Sequence, residues 1–348
     1  MNAILMLTMM TALAGADDKL FTLIEFGWDE PDTAYLKTHA KAMSASAFDG
    51  TVFHANTRAT DGKIDNFAWV VWGRRTVREE EVKSAIEDLK TTEFGQFRHN
   101  FLRFNTTPGK IDWFDDFSAI LANARIAGRL CHAGQCRGIL LDTEAYEGPL
   151  FNYRKQRDAS TKTFDEYAEQ AKKRGHALIE AFQDECPGLV VLMTFGPSYA
   201  LRKSDNGRIP PSDLEEGLLT AFTKGLVDGA LRETKIVDGY ESSYGYRSRD
   251  QFANARELIR KQPNIGAGFG LWIDYDWREK GWNEADPSKN HFTPESFESS
   301  LRIAREMTDE FVWIYAENPR WWTADDQPTK LPAAYQDAIR RVKDAPKR

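Results

Sequence analysis

Short apolar runs alternate with longer amphipathic stretches along most of the chain. Runs of strand length occupy residues 20–26, 50–55, 99–104, 137–142, 189–195, 235–240, 266–273 and 311–316. Each is bounded by polar or turn residues and is too short for a helix. Between them, apolar positions recur at helical spacing over 32–46, 77–90, 114–130, 163–185, 212–232, 249–261, 294–308 and 332–343. Thr293-Pro294-Glu295 predicts a helix start, with Thr293 as N-cap and Pro294 as the first helical residue. Asp213, after Pro210-Pro211-Ser212, predicts another.

Eight strand–helix pairs in 348 residues predict an α/β fold, a (β/α)8 TIM barrel. A doubly wound open sheet would carry a glycine-rich turn after its first strand, and no Gly-x-Gly-x-x-Gly stands there. Gly266, Gly268 and Gly270 fall inside a strand pattern, which predicts close backbone approach in a tight barrel. No Pro/Gly/Ser-rich linker divides the chain, so residues 17–348 are expected to form one barrel domain. Residues 1–16 are expected to be a secretory leader. Ala3–Ala14 is apolar, small residues at Ala12, Ala14 and Ala16 fit a cleavage site, and no Lys or Arg precedes the run. The run is too short to cross a bilayer comfortably. The expectation is an exported protein, periplasmic or extracellular, with no membrane contact once the leader is gone.

The net charge of −7 and the absence of a basic cluster argue against nucleic acid as a partner. The 10 Trp, 11 Tyr and 21 Phe fill a core and also suit sugar sites, where ring faces meet the C–H faces of pyranoses. Cys131 and Cys136 are near enough in sequence to pair, and Cys186 would stay free. No Cys-x-x-Cys indicates a structural zinc. No His-x-His marks the first strand, so no metal or cofactor is expected, although Asp274 and Asp276 leave a magnesium or calcium site open.

Residues Cys136 to Tyr146 concentrate the chemistry. An apolar run ends in Asp142 and Glu144. Positions i and i+2 of a strand point the same way, at the end where barrels hold their active sites. A protein-derived alternative is an ion pair of this acidic couple with Arg103 or Arg137. Glycoside hydrolysis needs an acid kept protonated and, in most enzymes, a second carboxylate. Glu144 is the expected general acid and Asp142 its modulator. Glu241, among tyrosines, is the expected nucleophile or base, with Asp274 and Asp276 as competitors. The other strand ends supply expected sugar ligands: Glu25, Trp28, His54, Arg103, Tyr146, Tyr244, Trp272, Glu317 and Trp321. Trp322 is a further stacking candidate, and Trp313 is either a platform or core. The long stretches 56–76, 145–162, 196–212, 274–292 and 317–331 all follow strands and would wall a cleft.

Gly138-Ile-Leu-Leu-Asp142-Thr-Glu144 resembles the fourth-strand signature of family 18 chitinases. The resemblance implies Glu144 as acid/base and Asp142 as the group orienting a substrate N-acetyl. The family's earlier acidic position is Leu140 here, and its Trp before the glutamate is Thr143. Glu25-Phe-Gly-Trp-Asp-Glu-Pro31 and Phe48-Asp-Gly-Thr-Val-Phe-His54 resemble exported glycoside hydrolases of polysaccharide-degrading bacteria. The implied partner is a poly- or oligosaccharide. The alternatives are a carbohydrate-binding barrel without catalysis and, less favoured, a metal-dependent hydrolase.

Overall fold

Strand alternation decides which side chains meet inside this molecule. The computed structural model describes residues 21–205, 207–322 and 331–346. The expected leader, 1–16, lies outside them. The strands are β1 (Thr22–Gly27), β2 (Gly50–Phe53), β3 (Asn56–Arg58), β4 (Ile64–Asn66), β5 (Phe101–Asn105), β6 (Gly138–Asp142), β7 (Val190–Met193), β8 (Lys235–Asp238), β9 (Ile265–Ala267), β10 (Phe269–Trp272) and β11 (Phe311–Ala316). The helices are α1 (Thr33–Met43), α2 (Glu79–Thr91), α3 (Ser118–Ala133), α4 (Phe164–Gln183), α5 (Pro197–Lys203), α6 (Leu219–Gly229), α7 (Arg249–Arg260), α8 (Trp277–Lys280), α9 (Pro294–Met307) and α10 (Ala333–Lys343).

All strands except β3 and β4 join one parallel sheet, in the order β10-β11-β1-β2-β5-β6-β7-β8-β9. Its two ends are consecutive in the chain and separated by Gly268 alone. β9 pairs with β8 and β10 with β11, so they are two halves of one strand. The sheet therefore closes into eight staves, and the fold is a (β/α)8 TIM barrel. Each expected strand and helix is present to within a few residues, with one exception. Pro211–Asp213 forms only a 3-10 turn, and α6 starts at Leu219. Residues 214–218 are drawn off to the loop after β6, where Leu218 N donates to Phe151 O at 3.0 Å. Thr293 caps α9 as expected, accepting from Ser296 N at 3.2 Å, with Pro294 following.

Ile24, Phe26, Leu140, Leu192, Val237 and Trp313 pack together inside the barrel. Their strand neighbours Leu23, Ile139, Leu141, Met193, Ile236 and Ile314 face the helices. Each fully buried side chain of this size contributes about 1.5–3 kcal/mol. Trp313 is core: it is fully buried and donates from Nε1 to Gly239 O at 2.9 Å. Gly270 leaves room for that ring, since a Cβ there would lie 2.8 Å from it. The close approach expected at this glycine is thus made by a side chain. The cysteines are free thiols, so Cys131 and Cys136 form no disulfide; Cys136 N instead donates to Cys131 O at 2.9 Å. Among the described residues no helix is long and apolar enough to cross a membrane.

Gly138 opens β6 where a Cβ would stand 1.9 Å from Val190 O of β7. Gly138→Ala must push two paired strands apart. It is expected to cost about 1–3 kcal/mol, read as a lower denaturant midpoint at unchanged slope. An unchanged midpoint would contradict this packing.

Candidate active site

The inward-facing residues at the carboxyl ends of the strands enclose a cavity of about 540 Å³. Arg103 follows Phe101 on β5, Asp142 follows Leu140 on β6, and Thr194 follows Leu192 on β7, each two residues on and so on the same face. Trp272 ends β10, and Tyr315 and Glu317 follow Trp313 of β11. His54, Trp28, Glu144, Tyr146, Glu241 and Tyr244 arrive from the loops just above.

Arg103 organises one side. Its Nη2 donates to Asp142 Oδ2 at 2.8 Å and to Tyr146 Oη at 3.0 Å. Its Nη1 donates to Glu30 Oε2 at 3.1 Å, and its Nε to Asn105 Oδ1 at 2.9 Å. Burial alone would lower the guanidinium's pKa, and Glu30 and Asp142 more than reverse that. Glu30 responds in kind: burial pushes its carboxyl up, but Arg103 and His54 hold it below the usual range. His54 Nδ1 lies 3.0 Å from Glu30 Oε1. Asp142 is occupied at both oxygens. Oδ2 also accepts from Tyr146 Oη at 2.7 Å, while Oδ1 accepts from Glu144 N at 3.1 Å and Thr194 Oγ1 at 3.2 Å.

Glu144 and Glu241 carry no such clamp. Solvent reaches Glu144 at the mouth, yet partial burial of its carboxyl, then the charge of Asp142, raises its pKa. Glu241 is raised well above the carboxylate range, first by burial and then by Asp142 and Glu144, with Arg103 and Tyr244 opposing. Its position depends on the turn after β8. Tyr240 takes a left-handed conformation with φ 42°, which costs a non-glycine residue on the order of 1–2 kcal/mol. The turn is pinned below by Asp238, whose oxygens accept from Tyr240 N at 3.1 Å and Ser198 N at 3.2 Å.

The opposite wall is aromatic. Trp28 is 54% exposed, and its ring meets Trp277 edge-on at 6.3 Å. The Arg278 guanidinium lies 5.5 Å from the Trp28 ring and 5.6 Å from that of Trp272. Glu317 holds this guanidinium at 2.6 Å and accepts from Trp277 Nε1 at 2.7 Å. On the Arg103 side Trp69 adds a second exposed ring, 4.8 Å from Tyr146 and 5.2 Å from the Arg103 guanidinium.

Five expected site residues, Glu25, Asp274, Asp276, Trp321 and Trp322, lie outside the cavity lining. Glu25 shares the outward parity of Leu23, so it faces the helix layer, where Thr51 Oγ1 and Trp322 Nε1 donate to it. Asp274 is a buried brace, accepting from Trp272 Nε1 at 2.7 Å, Glu317 N at 3.1 Å and Asn318 N at 2.8 Å. Asp276 pairs with Lys280 at 3.1 Å. Trp321 packs edge-on against Phe48 at 4.9 Å, and Trp322 beside it meets the same ring. Among the described residues no group of three or more His, Cys, Asp or Glu is arranged to hold a metal ion. Sequence reading missed Glu30, Asn66, Trp69, Thr194 and Arg278 as lining residues. Strand parity would have found Thr194; Glu30 sits on a loop, Asn66 ends the three-residue β4, Trp69 lies in the 3-10 turn after it and Arg278 in the one-turn α8, all too short to show a period.

No family model matches the chain, and no curated protein sequence does. Solved structures do match in fold. A glycoside hydrolase family 5 enzyme from Prevotella bryantii B14, solved with a xyloglucan tetradecasaccharide, superposes with a TM-score of 0.53 at 9% identity, over 94% of this chain and 97% of that one. A broad-specificity endoglucanase from an uncultured bacterium gives 0.47 at 10% identity, over 89% and 85%. A 3-keto-D-glucoside 4-epimerase from E. coli gives 0.43 at 13% identity, over 94% and 99%. The chain thus has the barrel fold found in glycoside hydrolases, a fold that also serves other chemistries.

Glu25 offers a test of the floor. Its carboxyl is raised by burial and by Asp29, itself raised to about 6. A carboxyl raised in the folded state stabilises below its unfolded pKa, and that contribution is lost as pH rises through the folded pKa. The melting temperature of Glu25→Gln relative to wild type is therefore expected to improve as pH rises above the ordinary carboxylate range. Calorimetry across a pH series checks it, and a difference flat in pH would contradict the assignment.

Proposed function

We propose that the protein is a glycoside hydrolase acting on a poly- or oligosaccharide. The observation that carries the reading is one cavity holding two unclamped carboxyls, Glu144 and Glu241, beside an ion-paired Asp142. Both are raised toward the protonated form, which is what an acid catalyst near neutral pH requires. Glu144 protonates the leaving oxygen. Asp142, fixed by Arg103 and Tyr146, keeps that proton in place through its charge. Glu241 serves as nucleophile or base once it has lost its own proton. Trp28, Trp69, Trp272, Tyr146 and Tyr244 hold the sugar, with His54 and Glu317 at its hydroxyls. Because protein donors occupy both Asp142 oxygens, its role here is electrostatic. Export by the leader at 1–16 belongs to the same proposal.

Glu144→Gln is expected to lower kcat on a cleaved glycan by about 10²–10⁴-fold while leaving binding measurable. Retention of full activity would remove Glu144 from the mechanism. Binding of glycans by wild type without any cleavage would favour a carbohydrate-binding barrel instead.

Asp142→Asn removes a negative charge next to Glu144 and Glu241, so both pKa values should fall. The alkaline limb of the kcat/KM profile reports the acid, which must be protonated. That limb should move to lower pH in the variant. A limb that stays put, or moves up, would show that Asp142 does not tune the acid.

A further inference from the structure

Beside the central cavity lies another, of about 530 Å³, between the loop after β6 and the segments that follow β7. Glu144 lines both. We infer that a bound sugar chain crosses Glu144, with its leaving portion seated in this second space against Tyr199. The inference rests on Glu144 as the acid, and it gives the substrate a class: oligosaccharides with sugar units on both sides of the broken bond.

The second space is built, and it is suited to a sugar. Thr143, one residue before Glu144, joins its two walls. Its Oγ1 donates to Phe195 O at 2.7 Å and accepts from Phe195 N at 3.3 Å. Phe151 and Leu219 line this space, and Leu218 N donates to Phe151 O at 3.0 Å, tying the two segments together. Tyr199 lies across the cavity, its ring 4.6 Å from that of Phe195. Arg202 and Lys203 stand 5.3 and 5.4 Å from the same ring, within cation–π range, and fix it as a platform. Lys155, Asn152 and Glu216 add an amine, an amide and a carboxyl. Aromatic and polar groups in a concave space of this size are the make-up of a small-ligand site. The two spaces meet at the one carboxyl that must contact the leaving oxygen, so a substrate ending at Glu144 would leave the second space unused.

The test measures binding and cleavage separately, with hexasaccharides of the cellulose, xylan, mannan and chitin series as probes. Binding is read by calorimetry in a Glu144→Gln background, with and without Tyr199→Ala. Loss of at least tenfold in hexasaccharide affinity, with a much smaller loss for the matching monosaccharide and recovery by Tyr199→Phe, is the expected result. Lys155→Ala, an exposed position, supplies a second variant if Tyr199→Ala misfolds, and it should weaken the same probes. Equal affinity in all variants overturns the inference even if wild type cleaves the probe. Binding that depends on Tyr199 without cleavage by wild type overturns the catalytic reading and leaves the two-space site standing. No binding of any probe overturns both.

Discussion

A guanidinium set into the top of an aliphatic barrel is the constraint on which the site depends. Arg103 points inward because it lies two residues beyond Phe101 on β5, and it has little water around it. Desolvating such a charge costs several kcal/mol unless carboxylates and further acceptors surround it. Glu30 and Asp142 supply the charges, and Asn105 and Tyr146 the remaining contacts. Removing one partner of a buried pair typically costs about 3–5 kcal/mol. The loops after β1 and β6 are therefore tied to β5 through this side chain. The acid whose oxygens are thus consumed, Asp142, becomes a fixed charge. The acid two residues on, Glu144, has no such ion pair among the described residues, and its carboxyl is raised by partial burial and by Asp142.

A similar arrangement stands across the cavity. Arg278 is held by Glu317 between Trp28 and Trp272, and Trp277 and Tyr315 complete the carboxylate's contacts. Two guanidinium–carboxylate clamps thus frame a space with two unpaired carboxyls inside it. Beneath them, Trp313 plugs the barrel opposite Gly270. Fold and site share strands: those that close the ring present both the plug and side chains that line the cavity.

The likeness to a family 5 glycoside hydrolase at 9% identity belongs to the barrel. A barrel of this kind serves many chemistries, and function lies in the groups at its mouth. Charge disposition narrows the choice among them. Carboxyls without a guanidinium partner and aromatic rings at the rim are the groups on which the proposed acid–base work on a sugar rests.

The sequence by itself determined the order of the barrel strands and of the helices that follow them, and the closed α/β barrel, but not the β3–β4 hairpin, α5 or α8, which fall in stretches without a period. The barrel order follows from local rules: periods of 2 and 3.6, helix caps such as Thr293, and strand ends marked by Asp142 and Glu317. Parity within a strand was equally available, and it separates Glu25 from its neighbours Ile24 and Phe26. Tertiary structure alone decided which acids are free. Arg103 meets Glu30 and Asp142 because the sheet order sets β5 beside β6 and one strand away from β1, across 73 and 39 residues of sequence. Asp274 became a brace rather than a ligand because the end of β11 offered it two backbone N–H groups. Glu241 turned inward through one left-handed residue, Tyr240. An ionisable group's role is set by the charges and donors within a few ångströms, and those neighbours are distant in the chain.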